Sequence, residues 1–404
     1  ERYLDLPMSI ISQLLSILSI CNIVSAYLSF EEWSVGKQTY ATEDERRHRK
    51  AIFESNLEKI VMHNNDIRKK RHFTLGINEF MDLEDHELPL GYDKSSLYPT
   101  ITMEERRLKD QIDFESLLPI IHPVNELPKS VDWRFAATPV KDQGACGSCW
   151  AFASTAALES HLFLNEGLLF SLSVQQLVSC APNIKQCGGE GGCTGATSVQ
   201  AYDYLKTAGV VQEWKFGYSS YSGSSFSCPL FPKSNSSSLV QGTVATIEGF
   251  VALPSNNYTV MMNAVAKIGP IVISVAAKGW GLYERGIFRH AFSTPEDADV
   301  NHAVVLMGYG TDDDTGDDYW LVRNSWSPLW GEAGYIRLFR EDPTSLDHDP
   351  CAMDITPGDG DACKYDNNGN PIEPLPHQKV CGTSAVYSAG YIPIGVKKYV
   401  AKSV

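Results

Sequence analysis

The stretch Gln143-Gly144-Ala145-Cys146-Gly147-Ser148-Cys149-Trp150-Ala151-Phe152 sets a thiol at the head of a run of helix formers, with an amide side chain six residues upstream. Ser148 has the type of an N-cap and Gly167 that of a stop, so the pattern predicts a helix with Cys149 in its first turn. The free N–H groups and positive dipole end at that position favour a thiolate, the reactive form of a cysteine nucleophile. Proton transfer then needs a histidine, and five lie beyond residue 130: His161, His290, His302, His348 and His377. His161 is excluded, because it sits further along the same helix, about 18 Å away at about 1.5 Å rise per residue. His302 opens the apolar run Ala303-Val304-Val305-Leu306-Met307-Gly308, which reads as a strand and holds an imidazole at a strand edge. A second strand-like run ends at Asn324-Ser325-Trp326 after an Asp- and Gly-rich turn, so Asn324 falls beside the start of the His302 strand. There it orients the imidazole, with Trp326 shielding that bond from water. Cys146-x-x-Cys149 also has the spacing of a redox pair or half a zinc site, but no second Cys-x-x-Cys or His-x3-His partner accompanies it. Neither a metal nor a cofactor is expected.

The elements that must position these residues change character near residue 240. From about 127 to 240 the patterns are helical, including residues 173–179 and 196–207. Beyond 240 they alternate like strands, at 243–251, 271–276, 303–309, 319–324 and 335–339. The fold class is therefore α+β, with Cys149 on a helical wall and His302 on a strand wall. Upstream, Glu45, Arg49, Phe53, Asn56, Ile60 and Asn64 recur at spacings of four, four, three, four and four, which is one face of a helix. Polar residues on such a face are ordinarily solvated. Gly76-x-Asn78-x-Phe80-x-Asp82 follows.

Together these motifs resemble the papain family of cysteine peptidases, and within it the cathepsin L-like branch. The matching residues are Gln143 to Phe152, Asn301-His302-Ala303-Val304, Asn324-Ser325-Trp326 with Trp330-Gly331-Glu332-Ala333-Gly334-Tyr335, and both upstream motifs, whose Glu-Arg-Phe-Asn-Ile-Asn pattern resembles that of cathepsin L-like propeptides. The resemblance implies a papain-like two-lobe fold, a helical lobe at about 127–240 and a β-barrel lobe at about 241–404, preceded by a helical inhibitory propeptide at 27–126. It implies Cys149 as nucleophile, His302 as general acid and base, Asn324 as its orienter, and the Gln143 side chain with the Cys149 N–H as oxyanion hole, for hydrolysis of peptide bonds through a thioester acyl-enzyme. Protein or peptide substrates and the chain's own propeptide, as an intramolecular inhibitor, are the implied partners of a monomer. Leu127-Pro128-Lys129-Ser130-Val131-Asp132-Trp133 resembles the family's mature N-terminus, which places cleavage within a few residues of 126. Matched positions around the P2 pocket are Thr197, Ser198, Ser274, Val300 and Val386; the floor reads apolar, with Val386 where a carboxylate would be needed to accept arginine, which implies preference for hydrophobic or aromatic P2 side chains. No insertion resembling an occluding loop lies between Leu205 and Cys228, which favours endopeptidase action.

Residues 8–26 form an apolar stretch ending Val-Ser-Ala, suited to a signal peptide cleaved after Ala26 and too short for a comfortable membrane span. Residues 1–7 precede it. A secretory or endolysosomal route without a membrane anchor follows, and cysteine usage agrees with it. Of ten cysteines, Cys21 belongs to the signal segment and Cys149 is the nucleophile, which leaves eight. By the family resemblance Cys146 pairs with Cys193 and Cys180 with Cys228. Cys187, Cys351, Cys363 and Cys381 form an even remainder that favours two more bridges, with the pairing open because the segment between Ile287 and His302 lacks the cysteine that usually joins the Cys381 equivalent.

A formal charge of −15 and pI near 5.1 argue against a nucleic-acid partner and suit an acidic compartment. The basic run Arg68-Lys69-Lys70-Arg71 lies in the propeptide, and Asn235 and Asn257 begin glycosylation sequons. The chain departs from the family in three places: Ser327 replaces the usual glycine after Trp326, Ala196 replaces a glycine of the substrate channel, and residues 341–380 form an insertion. Two other classes compete with the peptidase, an inactive homologue that binds without cleaving and a ligase that passes the acyl group to an amine. Retention of Gln143, Cys149, His302 and Asn324 together argues against the first.

Overall fold

The computed structural model describes residues 28–37, 40–91, 114–230, 232–234, 237–290, 292–343, 350–357, 360, 362–366, 369–372 and 377–400. The predicted signal segment, residues 1–7, His348 and the sequon asparagine Asn235 lie outside them. The chain divides into two compact units, Glu1–Leu88 with Gly279–Gly286, and Pro89–Lys278 with Ile287–Val404. The packing boundary therefore falls ahead of the expected cleavage point near residue 126, and residues 89–91 and 114–126 pack with the catalytic part.

In the first unit, helices α1 (Phe30–Trp33) and α2 (Glu43–Asn65) precede a short strand, β1 (Phe73–Leu75), which pairs antiparallel with residues 283–286. Thr42 caps α2 by accepting from the Glu45 N–H at 3.1 Å. Phe53, Leu57 and Ile60 of α2 bury against Phe30, Trp33 and Met81, with the Trp33 and Phe53 rings 5.1 Å apart. The polar members of the α2 face are bonded to the protein, with Asn56 buried and Glu45, Arg49 and Asn64 half-buried. Asn56 Nδ2 donates to the Met81 and Leu83 carbonyls, both at 3.0 Å, and Asn64 exchanges two hydrogen bonds with the Leu75 backbone at 2.7 and 3.0 Å. Arg49 reaches the Asp82 carbonyl at 3.0 Å and Glu87 at 2.7 Å, and Glu45 accepts from the Ala41 N–H at 2.8 Å. The second motif is held in the same way: Gly76 N donates to Leu282 O at 2.9 Å, Asn78 to Gly281 O at 2.7 Å, and Asp82 accepts from Tyr40 at 2.9 Å, while Phe80 is buried. The helix spacing thus serves to line up side chains that satisfy the backbone of an otherwise irregular segment.

In the second unit, helix α3 (Cys149–Glu166) is buried continuously from Cys149 to Leu162 and ends on Gly167, whose φ of 68° is the left-handed C-cap geometry. Helices α4 (Val174–Cys180) and α5 (Ser198–Ala208) surround it, capped by Ser173 and Thr197, close to the expected spans. Thr138, Lys141 and the Leu172 N–H all bond the fully buried Glu159 of α3, the last two at 2.9 and 2.8 Å, so its charge is paired.

Seven strands follow as one sheet with β2 (Val131–Asp132). In chain order they include β3 (Gly249–Ala252), β4 (Ile271–Val275), β5 (His302–Thr311), β6 (Asp318–Arg323), β7 (Tyr335–Phe339) and, after the insertion's β8 (Cys351–Asp354) and β9 (Gln378–Cys381), which pair apart from that sheet, β10 (Ala389–Ile394). Their order is β7-β6-β5-β4-β10-β3, with β2 paired to β5 and Ile287–Phe288 running parallel beside β7. Helix α6 (Tyr258–Lys267) interrupts the strands in a region that reads as β in the sequence; Asn257, a sequon residue, caps it by accepting from the Val260 N–H at 3.0 Å.

Four disulfides join Cys146–Cys193, Cys180–Cys228, Cys187–Cys363 and Cys351–Cys381. The two pairings that the sequence leaves open both run through the insertion. Among the described residues no helix is long and apolar enough to cross a membrane.

Candidate active site

Cys149 is the first residue of α3 and the free cysteine among the described residues. Ser148 precedes it as N-cap, but its side chain makes no capping bond; the hydroxyl lies 3.0 Å from Tyr218 Oη, which in turn donates to the Gln143 carbonyl at 2.7 Å. The expected side-chain cap is thus replaced by a link that ties the helix start to the Gln143 segment. The N–H of Ala303, the residue after His302, donates to Cys149 Sγ at 3.2 Å, so the helix start and the β5 start meet at the sulfur.

His302 lies at the edge expected for it, as the first residue of β5, facing Val275 of β4 in the ladder. Its Nε2 is 2.8 Å from Asn324 Oδ1. An amide oxygen only accepts, so Nε2 carries the proton and Nδ1 is the ring atom available for exchange. Asn324 follows the last residue of β6, where Arg323 pairs with Val305, and its Oδ1 also accepts the Ser325 N–H at 2.8 Å. Trp326 lies beside the imidazole with ring centroids 4.9 Å apart and 30° between planes. Burial pushes the His302 pKa down to about 4, against the upward pull of Asn324, so in this closed state the imidazole is neutral.

Gln143 is fully buried, its Oε1 accepting from Ser325 Oγ at 2.6 Å and its Nε2 donating to Cys146 O at 2.9 Å. The same Nε2 donates to the Pro89 carbonyl at 2.8 Å, and Trp326 Nε1 reaches that carbonyl at 3.3 Å. Two residues on, Gly91 lies against the thiol: a Cβ placed there would stand 2.0 Å from Cys149 Sγ. Residues 89–91 therefore meet the site through the Pro89 carbonyl and the Gly91 backbone. No sequence motif marks them.

The residues expected around P2 occupy several elements. Thr197 and Ser198 begin α5; Ser274 of β4 pairs with both Ala303 and Ala389; Val300 packs with Ala276, Ala298, Val380 and Ala385; Val386 follows the 3-10 turn Thr383–Ala385 and is buried. Ser327 has φ of 72°, the left-handed region where glycine is favoured, so its departure from the family glycine carries backbone strain. Ala196 is not among the positive-φ residues, which fits alanine there. His161 is a core residue bonded to Pro270 O at 2.9 Å. Among the described residues no group of three or more His, Cys, Asp or Glu side chains is arranged to hold a metal ion.

A papain family cysteine protease profile matches residues 127–354, and a cathepsin propeptide inhibitor domain profile matches residues 30–88. The chain is 35% identical to cathepsin L1 of Drosophila melanogaster over 82% of this chain and 86% of that one. It is 36% identical to cathepsin L of Sarcophaga peregrina, over 82% and 94%. The solved digestive procathepsin L 3 of the Tenebrio molitor larval midgut superposes with a TM-score of 0.62 at 28% identity, covering 90% of this chain and 98% of its own.

Proposed function

The chain belongs to the papain family of cysteine proteases, as a cathepsin L-like proenzyme with its own propeptide inhibitor domain, and from that premise we propose that Cys149, His302, Asn324 and Gln143 carry its chemistry. The Cys149 thiolate attacks the substrate carbonyl carbon, and the oxyanion that forms is met by Gln143 Nε2 and the Cys149 N–H. The C–N bond breaks as the His302 imidazolium gives its proton to the leaving amine. A water deprotonated by His302 then attacks the thioester and releases the acid. Asn324 holds Nε2–H through both steps, leaving Nδ1 to carry the moving proton. The observation that supports this reading is the Ala303 N–H bonded to the Cys149 sulfur, directly after a His302 whose ring is held by Asn324.

Latency has its own chemistry at the same atoms. The Gln143 amide is bonded to Pro89 O and Gly91 covers the sulfur. Maturation near residue 126, traffic through the secretory or endolysosomal route, a monomeric state and glycosylation at Asn257 complete the proposal. Thr197, Ser198, Ser274, Val300 and Val386 form a P2 site without a carboxylate, with an apolar floor at Val386, that takes Leu or Phe in preference to Arg. A fluorogenic panel varied at P2 checks this, and faster turnover of the Arg substrate rejects it.

The test of the whole reading is acid activation of the secreted proform with a thiol-directed epoxide, followed by mass spectrometry of the intact chain and its labelled peptide. A mature chain starting near residue 127 with one label on Cys149 is expected. Propeptide loss with no label would overturn the catalytic assignment.

A further inference from the structure

The insertion is a strap between the two walls of the cleft. Its base is the β8–β9 ladder, where Cys351 faces and is bonded to Cys381. From that base it lies on the segment that enters β5: the Val300 N–H points to Asp354 Oδ2 at 3.4 Å, and Thr356 Oγ1 donates to Asp299 Oδ1 at 3.1 Å. At Gly360 it still touches the strand wall, since a Cβ there would stand 2.5 Å from Val300 O. Two residues later it has reached the helical wall. Gly188 N donates to Ala362 O at 3.1 Å, Cys363 is bonded to Cys187, and the Lys364 and Tyr365 amides both bond Lys185 O at 3.1 Å. Two residues of extended chain span no more than about 7 Å, so at this point the walls are joined by the shortest of links.

The position of the link along the cleft follows from the glycines of the helical wall. Gly91, against the thiol, points its carbonyl at Gly195, where a Cβ would meet it at 2.3 Å. Gly195 O accepts from Gly191 N at 2.7 Å, and Gly188 O lies 2.3 Å from that same Cβ position. Gly188 is thus a neighbour of Gly195, two positions before Thr197, and on the strand wall the strap bears on Val300, so both of its anchors lie at the P2 positions.

We propose that this disulfide-anchored strap walls off the cleft upstream of the P2 site, so that the protease favours polypeptides with few residues ahead of the scissile bond over chains that run through the cleft. The proposal rests on the P2 assignment made above. The loop whose absence favours internal cleavage would have lain between Leu205 and Cys228; the strap acts from a different place, and on the upstream side.

The test uses the activated enzyme and fluorogenic peptides that share P1 and P2 and differ only upstream, with a free amine at P2 or with one to four further residues. A fall in kcat/KM of about tenfold or more on extension past P2 is expected. Equal turnover across the series overturns the strap, and that result needs no variant. In the Cys187→Ser/Cys363→Ser double variant the long peptides should regain turnover while the shortest stays within about twofold; an unchanged length profile in an active, epoxide-labelled variant also overturns the proposal. Varying P2 on the shortest peptide separates the two readings. An enzyme sensitive to P2 but indifferent to length loses only the strap, whereas indifference to P2 removes the assignment on which it rests.

Discussion

At Gly91 the absence of a side chain is the inhibitory feature, because the backbone must pass within contact distance of a sulfur. Replacing it with valine puts carbons where Sγ stands, and the segment must lift. The Gly91→Val proform is expected to accept the epoxide label at neutral pH, where the parent proform is protected; equal protection of the two would refute the contact. Cys149, His302, Asn324 and Gln143 stand out as candidates in the sequence because each brings a reactive or orienting group in a fixed order along the chain. Gly91 does not, since its role depends on a partner 58 positions later that only the fold brings near. The side-chain cap expected from Ser148 fails for a related reason: its hydroxyl is engaged by Tyr218, which no local pattern announces.

Helix α2 shows what a motif of mixed residue types does as an element. Its apolar members bury one side, and Asn56 and Asn64 act as surrogate strands for the backbone at Leu75, Met81 and Leu83. Asn56→Ala leaves two buried carbonyls without their donor, a loss of about 1–3 kcal/mol. The variant proform is therefore expected to activate at a higher pH than the parent, followed by the appearance of mature chain on gels across a pH series; an unchanged activation midpoint would count against it. The helix itself could be read from spacing alone. What the spacing could not reveal was that its polar residues face inward, since solvated and backbone-satisfying faces have the same period. Strand patterns on either side likewise hid α6, whose Asn257 cap lies in a polar run that the sequence marks only as a glycosylation sequon.

For the molecule as a whole, one buried carboxylate links stability to acidity. Asp354 is buried, and desolvation, with the nearby Asp299 carboxylate, pushes its pKa up to about 7 despite amide bonds from Thr356 and Val300. An unfolded aspartate titrates near 3.9. Between those values the folded chain binds a proton that the unfolded chain releases, so this contribution to stability is complete below about pH 4 and is lost as pH rises through about 7. Asp354→Asn should flatten that part of the profile, so that the Tm of the mature enzyme falls less between pH 5 and 7.5 than in the parent; parallel profiles would exclude the residue. The α+β class and the two walls could be anticipated from the change in periodicity near residue 240. That the cysteines of the insertion are bridged could be anticipated too, but not where the strap is anchored, because disulfide connectivity is a property of the closed fold and two of its cysteines lie in a stretch with no periodicity at all.

Eight of the nine described cysteines are oxidised and Cys149 is not. The protein must therefore operate inside a window of reducing power. Thiol–disulfide exchange has to return Cys149 from a sulfenic acid or a mixed disulfide, yet leave Cys187–Cys363 intact. Too oxidising a lumen silences the nucleophile, and too reducing a one lets go of the strap, so the redox poise of the compartment becomes a second setting of the protease, independent of its acidity.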